Sequence, residues 1–414
     1  MLTIRRAKGR STQLTHPKIG LAIAGGGPLG AIYELGALHA LDESIEGLHL
    51  HRLAVYVGVS AGGFVAASLA NGLSTAQMVR IFTGGKDAGF AFDPEDFLRP
   101  AYREYLSRAA TLPSIISEAL LQYARHPLRT SVTETMGRLS RAIPVGLFSN
   151  KRIQQFLERS FTSGGRSDDF RELRAKLFIV AVDLDNGTAV RFGSVDNDSV
   201  PISAAVQASA ALPGLYPPVQ IDGRYYVDGA LRRTMHASAA LKEGVDLLLG
   251  INPLVPFESD EDDDLTARHK DWVANLVEGG LPMVLSQTFR AMIQSRIKVS
   301  LDNYSDRYTD VDMLLIEPDR GDEDLFFTNI FSFSSRRKLV EHAYTAARNQ
   351  LRSHQDELEK MLAPYGYRLR RNLLADEDRM LEDSLSENRA IHAAAARKLD
   401  RVLDDLDEVL GQRH

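Results

Sequence analysis

Apolar and polar positions fall into blocks along the chain, and the period changes from block to block. Lys18-Ile-Gly-Leu-Ala-Ile-Ala24 is a short β-prone apolar run that stops at three consecutive glycines, Gly25, Gly26 and Gly27. A run apolar at successive positions predicts a strand buried on both faces of an α/β sheet. Pro28 then sits where a first helical residue is tolerated, and Ile32, Leu35, Leu38 and Leu41 recur at helical spacing. The unit reads strand, glycine loop, helix. A second unit of the same order runs from Leu53 to Val57, through Gly58-Val59-Ser60-Ala61-Gly62, into a small-residue helix ending near Ala70, with Asn71-Gly72 as its C-cap.

Residues 84–146 break this rhythm. Helical periodicity interrupted by Pro94, Pro100, Pro113, Pro127 and Pro144 predicts an inserted helical cap. Its apolar cluster, Leu112, Ile115, Ile116, Leu120 and Leu121, has two uses open to it: packing over the site, or lying in a membrane interface. Sheet signals return at Lys176 to Asp183, at residues 189–195 as a hairpin partner across Asn186-Gly187, and at residues 246–251 and 311–316. Residues 335–362 read as one helix stopped near Pro364. From Leu381 a three-four spacing passes through Leu385, Asn388, His392, Ala395, Leu399, Val402, Leu406 and Val409. That seam either packs on the domain or makes a homo-oligomer through the C-terminal helices. The predicted organisation is a basic arm over 1–17, an α/β domain over 18–330 that contains the 84–146 cap, and a helical extension over 331–414.

Composition removes several classes of function. With 49 Lys+Arg against 55 Asp+Glu the 414-residue chain carries a net charge of −6, which is not the electrostatic footprint of a nucleic-acid binder. There is no cysteine, so disulfides, Cys-ligated metals and thiol nucleophiles are excluded. That usage fits a reducing compartment, and the expectation is a cytoplasmic protein with peripheral membrane contact through Arg5, Arg6, Lys8 and Arg10. The N-terminus lacks the apolar core of a secretory signal. Residues 54–79 are uncharged for long enough to suggest a membrane span, but Gly58, Ser60, Gly62, Gly63 and Asn71 within them fit a strand, a turn and a buried helix better. The acidic loop at 258–264 lacks the alternating ligands and central glycine of a calcium loop, so no metal or other cofactor is expected.

The sharpest chemical signal is Gly58-Val59-Ser60-Ala61-Gly62, a G-x-S-x-G sequence between an apolar strand and a helix. A serine on so tight a turn takes a strained backbone, projects Oγ from the sheet edge, and needs flanking residues without side chains. Gly25-Gly26-Gly27-Pro28-Leu29-Gly30 also fits a dinucleotide fingerprint. That reading needs an acidic residue about 20 positions on, where the second strand instead runs into the serine turn. The remaining use of glycines at a helix start is to aim backbone N–H groups at an anion, here a tetrahedral oxyanion. A base for Ser60 is less obvious. His236 is one candidate. Asp228, in Tyr225-Tyr226-Val227-Asp228-Gly229-Ala230, is another, delivered by a hairpin turning at Asp222-Gly223.

Taken in order, the glycine loop, the G-x-S-x-G serine, Ala208-Ser209-Ala210-Ala211-Leu212-Pro213 and the late Asp228-Gly229-Ala230 resemble the patatin-like phospholipases over roughly residues 18–320. The resemblance implies a three-layer α/β/α domain around a mostly parallel sheet. It implies Ser60 as nucleophile, Asp228 as its base, and Gly25, Gly26 and Gly27 as the oxyanion hole, with Gly58, Gly62, Gly30 and Gly229 as structural glycines. The substrate implied is a membrane phospholipid or another acyl-ester lipid, cleaved through an acyl-enzyme. Two positions depart from the family pattern. Leu29 stands where a cation is usual, which favours a neutral ester or lysolipid. Arg232-Arg233-Thr234-Met235-His236 replaces the usual Asn-x-Pro, and the arginines are either solvated or phosphate contacts. A catalytically silent lipid-binding or assembly module with the same fold is the alternative.

Overall fold

The computed structural model describes residues 1–7, 13–83, 144–255, 307–319 and 333–387, with scattered positions at 99–117, 288 and 322–325. The strands are β1 (Leu2–Arg5), β2 (Ile19–Ile23), β3 (Ile45–Glu46), β4 (Val55–Val59), β5 (Lys176–Asp183), β6 (Ala189–Phe192), β7 (Val219–Ile221), β8 (Arg224–Asp228), β9 (Leu247–Ile251), β10 (Asp312–Ile316) and β11 (Arg368–Leu369). The helices used below are α1 (Gly27–Ser44), α2 (Ala61–Ala70), α3 (Thr75–Thr83), α4 (Lys151–Phe161), α5 (Ile202–Ser209), α6 (Ser238–Lys242), α7 (Phe333–Ser353), α8 (Gln355–Leu362) and α9 (Arg371–Ala375).

Among the described residues one 9-stranded sheet runs β1-β10-β9-β2-β4-β5-β8-β7, with β6 pairing β5 off that path. The strands from β10 to β5 are parallel, while β1, β6, β7 and β8 are antiparallel. β2 and β4 are fully buried, as their unbroken apolar runs demand. Alternate side chains feed two cores. Leu21, Ile23, Tyr56, Ile179 and Leu249 join α1, α2 and α7 on one face, and Ala22, Val57, Val59, Val180 and Leu248 join Ala239 and Leu241 of α6 on the other. The architecture is the three-layer α/β/α arrangement with a mostly parallel sheet that the sequence predicts.

Three local features depart from the sequence reading. Residues 335–362 form two helices, α7 and α8, because the chain leaves helical geometry at His354 (φ −116, ψ 19). The partner of β5 ends at Phe192, since Gly193 turns left-handed (φ 89). Leu2–Arg5 of the expected basic arm is an edge strand, paired antiparallel with β10. The cap cluster Leu112 to Leu121, the acidic loop 258–264 and the seam beyond residue 387 lie outside the described residues. Among the described residues no helix is long and apolar enough to cross a membrane.

Helix α1 is buried on all sides, with the sheet below and α7 above. The two helices touch at Gly36, where a Cβ would fall 2.4 Å from the Val340 carbonyl oxygen and 2.8 Å from Ala343 Cβ. Polar contacts lock the same pair. Tyr344 of α7 donates to the Glu43 carboxylate, and Arg348 and Arg379 approach it at 3.8 and 3.4 Å. Helix propensity alone would favour alanine over Gly36 by about 1 kcal/mol, but overpacking a close helix contact costs about 1 to 3 kcal/mol. Gly36→Ala is therefore expected to lower the urea midpoint; an unchanged or raised midpoint would contradict this packing.

Candidate active site

The strands β2 and β4 pair in parallel, so the glycine loop and the Gly58–Gly62 turn leave the same sheet edge side by side. Ser60 takes a left-handed backbone (φ 53, ψ −124) between β4 and α2. Such a conformation strains any residue but glycine, and it throws the side chain out of the sheet edge. The flanking glycines are there for space. A Cβ on Gly62 would lie 2.3 Å from the Ala24 carbonyl oxygen, and one on Gly58 would lie 2.5 Å from the Gly62 carbonyl oxygen. Gly30 packs against Pro253 in the same way, more loosely.

Asp228 ends β8, two strands away from Ser60 across β5. The registers fix their level: Val59 pairs with Val180 on one side of β5, and Asp228 pairs with Ala181 on the other. Asp222 (φ 48) and Gly223 (φ 81) form the left-handed hairpin turn that brings β8 back, as predicted. At the far end Gly229 must be glycine, because a Cβ there would sit 2.1 Å from the Val180 carbonyl oxygen. The third block closes on the other two. A Cβ on Gly25 would meet Ser60 Cβ at 3.0 Å and Ala230 Cβ at 3.3 Å. Glycine loop, serine turn and Asp-Gly-Ala turn thus converge at one point.

Ser60 is 8% and Asp228 3% exposed. The Ser60 hydroxyl faces the Asp228 carboxylate and favours its charged form, and Oδ1 of that carboxylate accepts the Ala230 N–H at 2.9 Å. Burial pushes the Asp228 carboxyl up to about 6, against the opposing pull of the Ser60 hydroxyl and the Ala230 N–H. Tyr216 is also buried, and its phenol is pushed up by burial and then by the Asp228 charge.

His236 does not join this pair. Its Nε2 faces the Gly229 carbonyl at 3.4 Å, and burial lowers its imidazole to about 4, so it is neutral near pH 7. Arg232 is exposed and donates to the Gly187 carbonyl at 2.6 Å, which braces the β5–β6 turn. Leu29 is half-buried against the larger core.

The glycine loop is not uniform. The Gly25 N–H is already engaged, donating to the Thr234 carbonyl at 3.2 Å, which corrects the expectation that all three glycines present a free amide. The N–H groups of Gly26 and Gly27 at the start of α1, and of Ala61 at the start of α2, have no acceptor among the described residues. Ala61 is a donor that the sequence reading did not single out, although its place directly after the serine is the signal for it. Thr234 and Tyr216 were also missed, since nothing in their local sequence marks them. Among the described residues no three His, Asp or Glu side chains gather as a metal site.

A family profile described as "Patatin-like phospholipase" matches residues 21–241, more than half of the chain. Solved structures similar to the chain include VipD from Legionella pneumophila, at 16% identity and TM-score 0.31, over 87% of this chain and 81% of that one. Another is ExoU of Pseudomonas aeruginosa in complex with SpcU, at 16% identity and TM-score 0.28, over 75% of this chain and 60% of that one. Those overlaps are too loose to bear on ligands or partners.

Burial raises the Asp228 value in the fold above the unfolded-state value near 4, so the folded protein binds this proton more tightly. The resulting stabilisation is fully present below about 4 and is lost as pH rises through about 6, where the site must hold a bare charge. Asparagine keeps an acceptor for the Ala230 N–H without that charge. Asp228→Asn is expected to stabilise the protein by about 1 to 3 kcal/mol at pH 8, with the gain shrinking towards zero by about pH 4. Thermal melts across that range measure it, and a pH-independent difference would refute the assignment.

Proposed function

Because the chain belongs to the patatin-like phospholipase family, we propose that it is a serine acyl hydrolase that cleaves fatty-acyl esters of phospholipids or lysolipids through a Ser60-Asp228 dyad. The observation that carries this reading is the convergence, at Gly25 of the glycine loop, of a left-handed serine turn with the turn that follows a buried aspartate whose carboxyl is pushed up to about 6.

On this reading Asp228 accepts the proton as Ser60 Oγ attacks the ester carbonyl. The N–H groups of Gly26, Gly27 and Ala61 support the oxyanion from the positive ends of α1 and α2, and such donors are worth about 3 to 4 kcal/mol each in a water-excluded site. Collapse of the intermediate breaks the ester bond. The lysolipid or alcohol leaves with the proton held by Asp228, and an acyl-Ser60 remains. Water then gives its proton to Asp228 and its oxygen to the acyl carbon, and the fatty acid departs as Ser60 regains its proton. An aspartate near 6 is ionised at neutral pH yet more basic than a solvated one, which suits it to this exchange. The absence of a cation at Leu29 supports neutral esters or lysolipids over doubly acylated anionic lipids. Leu29 also favours the second reading, a silent lipid-binding module, which binds vesicles without releasing fatty acid.

A fluorophosphonate probe should label the native protein and leave Ser60→Ala unlabelled; equal labelling of both would sink the proposal. kcat/KM should rise with pH through a single ionisation near 6 and reach a plateau, and Asp228→Asn should lose at least about 1,000-fold. His236→Ala should stay within about ten-fold of wild type, whereas a loss as deep as that of Asp228→Asn would restore a triad.

A further inference from the structure

Ser60 and Asp228 come from different strands, yet one short segment holds the main chain of both. The Ser60 N–H donates to Ser209 Oγ at 2.8 Å, and the Ser209 hydroxyl donates in turn to the Val180 carbonyl at 2.5 Å. Two residues on, the Ala211 carbonyl accepts the Asp228 N–H at 3.0 Å. A hydroxyl has one proton, and because Ser209 gives it to Val180, only its lone pairs face Ser60, so the direction of both bonds is fixed. Ser209 is fully buried at the C-terminal end of α5. The other end of that helix is tied down separately, by the Asp168 carboxylate accepting the Ser203 N–H at 2.7 Å and hydroxyl at 2.6 Å.

The Ser60 backbone needs such support, because a left-handed serine persists only where its surroundings over-determine it. Accepting the Ser60 N–H also withdraws that donor from any oxyanion, which leaves the hole to other amides.

We propose that Ser209 is a positioning residue for the nucleophile, and that residues 209–211 act as a clamp setting the separation of Ser60 and Asp228 through their main chains. The inference rests on the dyad reading above. Ser209 touches neither ester nor reacting atoms, so losing its hydroxyl displaces Ser60 Oγ from Asp228 without altering the surface that binds the lipid.

The test uses the full chain, a p-nitrophenyl ester and a fluorophosphonate, with Ser209→Ala, Ser209→Cys and, as a control on the same helix, Ser203→Ala. Ser209→Ala should lower kcat and the rate of Ser60 labelling together by about 10- to 100-fold, with KM within about two-fold of wild type. Ser209→Cys, of similar size with a weaker S–H donor, should fall between Ser209→Ala and wild type. Ser203→Ala loses a comparable buried bond, so its melting temperature should drop while kcat holds. Wild-type kcat in Ser209→Ala, or equal losses in the two helix variants, would overturn the clamp. If Ser209→Ala does not fold, wild-type kcat in Ser209→Cys overturns it instead. Failure of the dyad reading is distinct, because labelling would then persist in Ser60→Ala whatever residue 209 is.

Discussion

The carbonyl of Val180, in the strand between Ser60 and Asp228, carries two constraints at once. It accepts the Ser209 hydroxyl, and it stands where any side chain at position 229 would have to go. The first fixes the turn on one side of β5, and the second fixes the turn on the other. Main-chain atoms in a sheet move little, because each strand is hydrogen-bonded on both sides. A separation measured from one strand's carbonyl is therefore better defined than one built from two independent loops. Gly229 follows from this geometry, while Gly58 and Gly62 answer to close contacts within the serine turn and with the end of β2.

Desolvation acts on the two titratable groups of this shell in opposite senses. It raises Asp228 and lowers His236, in each case against the charged form. Near neutral pH Asp228 then carries a negative charge and His236 none, and Leu29 adds none from the glycine loop. On the proposed mechanism, negative charge developing on the ester oxygen meets backbone dipoles rather than a cation. This places a strict demand on the position of α1 and α2, because a dipole's effect falls off within the first turn of the helix.

Much of the fold was legible because burial on both faces leaves a plain trace. β2, β4 and β5 are apolar at successive positions, and the bounds predicted for β5, Lys176 to Asp183, are those observed. β1 left no such trace, being four residues with Arg5 at its end, paired to a strand whose sequence lies far away. The break at His354 was hidden because apolar spacing continues on both sides of it through Leu351 and Leu358, which are both buried. The turns that carry Ser60 and Asp228 could be read because each forces glycine into fixed neighbouring places. What could not be read were interactions between distant segments, such as the Gly25 amide on Thr234 or the Asp228 charge acting on the Tyr216 phenol. Ser209 lay in between: a lone hydroxyl in a run of alanines was visible, but its partner was not.

The burial of α1 between the sheet and α7 has a consequence for how the protein comes into being. Glu43 and Tyr344, which join the two helices, stand 301 positions apart in the chain. A ribosome therefore finishes the glycine loop and its helix long before it makes the residues that cover them. Until α7 emerges, the outer face of α1, with Gly36 at its centre, lies bare to water and to other apolar surfaces. Contacts of such long sequence separation form late and slowly. A nascent chain that already carries Ser60 and Asp228 still lacks the helix that packs over Gly36 and Glu43, so α1 is backed on only one side until α7 has been made.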